Sequence, residues 1–166
     1  MSKKMSLAEG REAMVRVLQE IQGLKAVRAS RIECEALRPL PDSVEEAALV
    51  TDVKVSFHAS PPYLATFVLY RVCATWGEAD EFTDVAEEDQ AWRITLEFCA
   101  DWEVSADAEL ASEDLRCFAV SQGVMTCHPY ARETIQSASV RMGYPPATLD
   151  IIRNPLIGDG EIEFED

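Results

Sequence analysis

Cys127 and His128 are adjacent, a thiol beside an imidazole, which is the pairing a thiolate nucleophile and its base require. Neighbouring residues at the start of a helix point in different directions, however, and nothing close in sequence supplies the third group that would orient the base. The remaining thiols, Cys34, Cys73, Cys99 and Cys117, bring the total to five, with no Cys-x-x-Cys pair. An odd count without that spacing fits neither a disulfide framework nor a zinc knuckle, so reduced, partly buried thiols are expected and no metal. The seven glycines are scattered without forming a dinucleotide fingerprint or a phosphate loop. With no nucleophile, base and acid brought together by spacing, an enzyme is not expected, nor a cofactor.

Carboxylates are the other abundant chemistry. Thirty acidic against 15 basic residues leave a net charge of −15 and a pI near 4.5. Glu78, Asp80, Glu81, Asp84, Glu87, Glu88 and Asp89 fall in one stretch without Lys or Arg, and Asp159, Glu161, Glu163, Glu165 and Asp166 close the chain. The first run lacks the alternating acidic spacing of a calcium loop. Its ordinary role is a solvated surface; its functional reading is a rim that repels nucleic acid and attracts basic segments. A chain of 166 residues, 48% apolar, has enough material for one domain with its own core. No apolar run reaches the roughly 20 residues that span a bilayer, and the first residues lead into an amphipathic segment rather than a signal-peptide core. A cytoplasmic protein without direct membrane insertion is expected.

The elements follow from periodicity. From Ser6 to Leu24, Leu7, Met14, Val17, Leu18 and Ile21 keep helical spacing, with Ser6 and Glu9 as a capping box and Gly10 weakening the first turn. Arg31–Ala36 alternates as a strand. A second strand sets Leu49, Thr51, Val53, Val55 and Phe57 opposite Asp52, Lys54, Ser56 and His58, which makes His58 a solvent-face residue. After Ser60-Pro61-Pro62, residues Tyr63 to Trp76 form a third strand with Leu64, Val68, Tyr70, Val72, Ala74 and Trp76 on one face. Phe67, Leu69 and Cys73 lie on the other. A strand apolar on both sides predicts a central position with its second face covered by a subunit or a client.

The cleanest strand sets Trp92, Ile94, Leu96, Phe98, Ala100, Trp102 and Val104 against a polar face. The acidic stretch before it is too long for a hairpin and reads as an exposed, mobile loop. Ser112 is placed to cap a helix ended by Gly123. Pro129 suits the first position of another, with Ala131, Ile135, Ala138 and Met142 as its stripe, Gly143 as its left-handed end, and Pro145 and Pro146 preventing resumption. Helix, four strands and two helices make an α+β domain with an antiparallel sheet and segregated helices.

Capping rules do not explain the run Pro129-Tyr130-Ala131-Arg132-Glu133 followed by Arg141, Gly143, Pro145, Pro146 and Leu149. That order resembles the signature of the SecB family of bacterial export chaperones. His128 stands where the family usually has Phe, and Met142-Gly143-Tyr144 where it usually has a double glycine and Phe. The resemblance implies a SecB-like four-stranded antiparallel sheet with C-terminal helices, to which this chain adds an N-terminal helix. The divisions expected are an extension over 1–25, the chaperone domain over 26–157 and an acidic tail over 158–166.

The resemblance also implies an ATP-independent holdase, a homotetramer built as a dimer of dimers, that binds unfolded polypeptides. About 1,000 Å² of apolar groove would contribute on the order of 25 kcal/mol of gross burial, most of it offset by ordering the client. Candidate groove residues are Phe57, Tyr63, Leu64, Phe67, Leu69, Trp76, Phe118 and Met125; the core is the favoured place for Phe118, as for Tyr130, and exposed or interface surface for Phe67, Leu69 and Trp76. Arg132 and Glu133 point about 100° apart on a helix and read as structural. Within the family the client is either a secretory precursor handed to SecA or a dedicated antitoxin; the N-terminal helix, the short Gly123-Val124-Met125 link and His128 favour the second. The alternative from another class is an acidic inhibitor or decoy occupying a basic site.

Overall fold

The computed structural model describes residues 3–41, 47–77, 81–157 and 161–164. Glu78 and Asp80 of the acidic stretch, and Asp159, Glu165 and Asp166 of the tail, lie outside them. Ser6 caps α1 (Leu7–Glu20): its hydroxyl accepts the Glu9 N–H at 3.2 Å, and the Glu9 carboxylate accepts the Ser6 N–H at 3.0 Å. Gly10 is there for contact, since a Cβ at this position would come 3.0 Å from Leu156. With Met5, Leu7, Ala13 and Cys117, Leu156 forms a small core under α1. α1 stops four residues earlier than its periodicity predicts. Ile21 turns extended and opens β2 (Ile21–Ala36), because Ile21 and Leu24 find cross-strand partners in Val104 and Trp102. Ladder pairing outweighs weak helical propensity here.

β3 (Ala48–Ser60) and β4 (Tyr63–Thr75) form a hairpin closed at Pro61-Pro62, with Ser60 opposite Tyr63. β5 (Gln90–Val104) pairs with β4 and β2, giving an antiparallel sheet in the order β2-β5-β4-β3. β4 is therefore an inner strand, as its two-sided apolar pattern requires. The predicted solvent-face position of His58 is also found. A separate ribbon joins the chain ends, β1 (Lys3–Ser6) pairing with β6 (Glu161–Phe164), so part of the acidic tail is a strand. The acidic connection after β4 makes two short turns, Phe82–Asp84 and Glu87–Asp89, the first folding back over β3 and β4 with Phe82 5.1 Å from the Arg71 guanidinium.

One face of the sheet is roofed by α2 (Ser112–Phe118), a π-helical turn (Ala119–Gly123) and α3 (Val124–Arg141), which run on without a break. Three local expectations change. Ser112 is the first helical residue rather than the cap. Gly123 keeps right-handed helical angles and ends nothing; a Cβ there would lie 3.1 Å from Thr66, so glycine lets the helix meet the sheet. Pro129 sits inside α3, where its ring costs a hydrogen bond that the exposed outer side of the helix tolerates. Beneath lie Leu64, Val68, Val72 and the β5 stripe from Trp92 to Val104, all buried. Phe118 stands edge-on to Trp102 at 5.2 Å, and the Trp102 indole donates to Thr66 at 3.1 Å.

Candidate groove on the helix side of the sheet

Gly143, at φ +89°, ends α3 as the sequence predicts. The Gly143 N–H bonds to the Val140 carbonyl and the Tyr144 N–H to that of Ser139, both at 3.0 Å, the two bonds of a Schellman motif. The chain then turns back and is pinned at four points. The Tyr144 hydroxyl lies 2.8 Å from the carbonyl oxygens of both Arg38 and Ala91. The Ala147 N–H donates to Ser139 Oγ at 2.9 Å. Leu149 is buried in the core, and His128 Nε2 sits 2.9 Å from the Asp150 carbonyl oxygen. Residues 144–153 thus make a strap alongside α3.

Across from the strap runs β3, whose inward residues Leu49, Thr51 and Val53 face it from the edge of the sheet. Between them lies a cavity of about 790 Å³ walled by those residues and by Thr148 to Arg153, with Tyr70 and His128 also lining it. This volume lies within the range of ligand sites. A hollow of about 340 Å³ shares Ala47, Leu49 and Thr148 with it and continues past Trp92, Tyr144, Pro145 and Pro146. Another of about 490 Å³ shares His128, Ile151 and Ile152 and continues past Met125, Pro129, Arg132 and Glu133. The three form one continuous groove. Its rim mixes exposed apolar side chains, Ile151 at 79% and Met125 at 40%, with the charged Arg132, Glu133, Asp150 and Arg153.

The polar groups of the central cavity are unusual. A carbonyl can only accept, so His128 Nε2 carries the hydrogen it gives to Asp150, which makes Nδ1 the acceptor nitrogen of that tautomer. That Nδ1 and the Tyr70 hydroxyl are buried without a hydrogen-bond partner. Burial also pushes the Tyr70 phenol up, so it stays protonated and able to donate. Cys127 is fully buried, its thiol pushed up to about 12, first by burial and then by Cys99. A thiolate is therefore scarce at neutral pH, and the Cys127-His128 pair has no nucleophile to offer. Among the described residues no cluster of three or more His, Cys, Asp or Glu could hold a metal.

Of the eight groove candidates read from sequence, only Met125 lines this groove. Leu64 and Phe118 are core, 2% and 0% exposed. Phe57 and Trp76 are half-buried and pack against the core, although Trp76 was expected at an exposed surface. Tyr63, Phe67 and Leu69 lie on the opposite face of the sheet. Tyr130 reverses its expected burial, being half exposed and 6.2 Å from Phe98. Pro129, Arg132, Glu133, Pro145, Pro146 and Leu149, the motif residues read as framework, turn out to line the groove. No ion pair of Arg132 or Glu133 is found among the described residues. Sequence reasoning missed Leu49, Thr51, Val53, Tyr70 and the strap; the signal nearest to them was the His128 departure from the family pattern.

No protein-family model and no curated protein matches this sequence. Among solved structures, a Mycobacterium tuberculosis SecB-like chaperone in complex with a ChAD peptide from the HigA1 antitoxin superposes with a TM-score of 0.71 at 17% identity, over 87% of this chain and 99% of that one. A Streptococcus agalactiae protein of unknown function gives a TM-score of 0.39 at 7% identity over 78% of this chain and 96% of that one, too distant to argue from. The first likeness shows that this chain has the SecB-like α+β fold expected of it, with the N-terminal helix α1 added before the sheet.

Proposed function

We propose that this chain is an ATP-independent holdase that captures a non-native polypeptide segment in the groove between β3 and the strap. The observation that carries the reading is the groove itself, three contiguous hollows that expose Ile151 and Met125 at the rim, on a fold whose structural neighbour was solved with an antitoxin peptide. β3 is an edge strand, so an extended client could add backbone hydrogen bonds along it while alternate side chains enter the hollows. Apolar burial supplies the gross affinity, and ordering the client offsets most of it, which keeps capture reversible.

An antitoxin is the client we favour over a secretory precursor destined for SecA. The support is the peptide in the neighbouring structure together with α1, which packs on α2 and bonds Arg16 to Asp114 at 2.7 Å. Assembly into a cytoplasmic homotetramer is part of the same proposal. β2 lies at the other sheet edge, and Leu24, Ile32, Tyr130 and Val140 are exposed, 47%, 54%, 50% and 53% respectively, so a second copy could cover them.

The test is suppression of aggregation of an unfolded client, with and without ATP, alongside light scattering. Equal suppression in both and a mass four times the 18.5 kDa chain are expected. Failure to suppress aggregation, or suppression only with ATP, overturns the holdase reading. Binding that high salt abolishes for every client, uncharged ones included, would favour the acidic decoy.

A further inference from the structure

From Tyr70 and His128 we infer that the central cavity contains a subsite for a client side-chain carboxamide, Asn or Gln; the inference rests on the groove being the client site. Tyr70 is fully buried and His128 only 9% exposed, and both line the cavity. Each keeps one polar atom without a partner, although nearly all buried polar groups in folded proteins find one. The two vacancies are complementary. His128 Nδ1, its ring fixed by Nε2 donating to Asp150, offers an acceptor, and the protonated Tyr70 hydroxyl offers a donor. Their rings are in contact, centroids 6.0 Å apart, which sets the two side chains next to each other in the cavity wall.

A carboxamide matches both at once, its NH₂ donating to Nδ1 and its carbonyl accepting from the phenol. A carboxylate offers nothing to Nδ1, an ammonium nothing to the phenol, and an aliphatic side chain leaves both unmet. Sites that hold buried polar groups for a partner reject analogues lacking it far more strongly than apolar pockets discriminate by size. Leu49, Thr51 and Val53 on one wall and Ile152 on the other supply the apolar surround in which such a pair of hydrogen bonds discriminates.

The test uses the full chain and an apolar-rich peptide of about a dozen residues, in which one guest position, moved through the sequence, carries Leu, Asn, Gln, Asp or Lys. Binding is read by fluorescence anisotropy. At one register Asn or Gln should bind about tenfold more tightly than the near-isosteric Leu, with Asp and Lys weakest. Tyr70→Phe and His128→Leu should each erase that advantage, read within each variant as the ratio of Asn-peptide to Leu-peptide affinity; if His128→Leu does not fold, Tyr70→Phe, which removes one oxygen, decides alone.

A wild-type protein that binds the peptides with no register favouring a carboxamide overturns the inference and leaves the groove standing. So does a preference that survives in the variants, or variants that weaken every peptide equally, which would mean recognition of client backbone. Failure of the wild-type chain to bind any peptide overturns the groove reading and the subsite with it.

Discussion

The two faces of the sheet carry the same alternation of apolar residues along β4 and end up as different surfaces. On the helix side, the strap and α3 rise beside an edge strand and leave a groove whose charges, Arg132, Glu133, Asp150 and Arg153, stand on α3 and the strap. On the other side, Phe67 and Leu69 lie half-buried between Ser56 and Lys54 of β3 and Cys99 and Glu97 of β5. Around them runs a grid of ion pairs joining Asp52 to Arg71, Arg28 to Asp101, Lys25 to Glu103 and Arg93 to Glu35. The apolar stripes are alike; the walls are not. An alternating pattern says which residues share a face, whereas a binding site needs a second element standing over that face.

The largest effect expected of this contrast is at Cys73. It sits on the ion-paired face but is fully buried, with its thiol pushed up to about 11 by burial, and the Phe82 turn folds back over its end of the sheet. Cys73→Asp would bury a carboxylate at a cost of several kcal/mol, against about 5–15 kcal/mol for a whole domain. Loss of cooperative thermal unfolding by circular dichroism is expected. A folded variant with an unchanged melting temperature would mean that this end of the face is open and could serve as an interface after all.

Next in size is the exchange of one residue on each face. Ile151 on the groove rim is 79% exposed, so Ile151→Asp should fold normally. It should weaken client binding about tenfold, the loss of roughly 1.4 kcal/mol, chiefly through faster release in stopped-flow measurements. Phe67→Asp on the ion-paired face should leave client affinity unchanged. The reverse result would move the client to the flat face and return Phe67 to the site.

How these faces could be read from sequence follows from the range of the signals. The β5 stripe, the Ser6-Glu9 box and the Gly143 stop were legible because each rests on residues within a few positions of one another. The β2 start at Ile21 was not, since its helical spacing is undone only by pairing with Val104, 83 residues on in sequence. Gly123 carried a stop signal that close packing against Thr66 overrode, and Pro129 a start signal inside a helix that begins at Val124. The groove was hidden for the same reason. Leu49, Thr51 and Val53 become a wall only once β3 is known to be an edge and the strap beyond α3 to lie opposite it, and neither fact is local.

Charge should tune the groove more weakly than apolar contact does. Arg132 and Glu133 stand on the wall of the third hollow, and Asp150 and Arg153 on that of the first. At physiological salt, exposed charges are screened over about 8 Å, so they affect encounter more than holding. Raising salt to about 0.5 M should slow association of a basic client and leave dissociation nearly constant. Arg132→Ala should stay folded and keep an uncharged client within about twofold. Loss of all client binding by a folded Arg132→Ala protein would make that guanidinium an anchor.

The smallest effect separates the faces by pH. Asp101 on the ion-paired face has its carboxyl held below the usual range, first by the hydrogen bond from Arg28, whose Nε lies 2.9 Å from Oδ2. A carboxylate whose folded pKa is depressed adds stability that is fully present above its unfolded pKa, about 3.9, and is lost as pH falls through the lower folded value. Asp101→Asn should therefore lower the melting temperature slightly at pH 7, and the gap to the parent should close below about pH 4. The pair is partly exposed, so the shift is expected to be no more than a few degrees and to shrink with added salt. Client affinity at pH 7 should not change, because Asp101 points away from the groove. A loss of affinity without loss of stability would show that the two faces communicate through β5, and that the ion-pair grid sets the shape of the groove across the sheet.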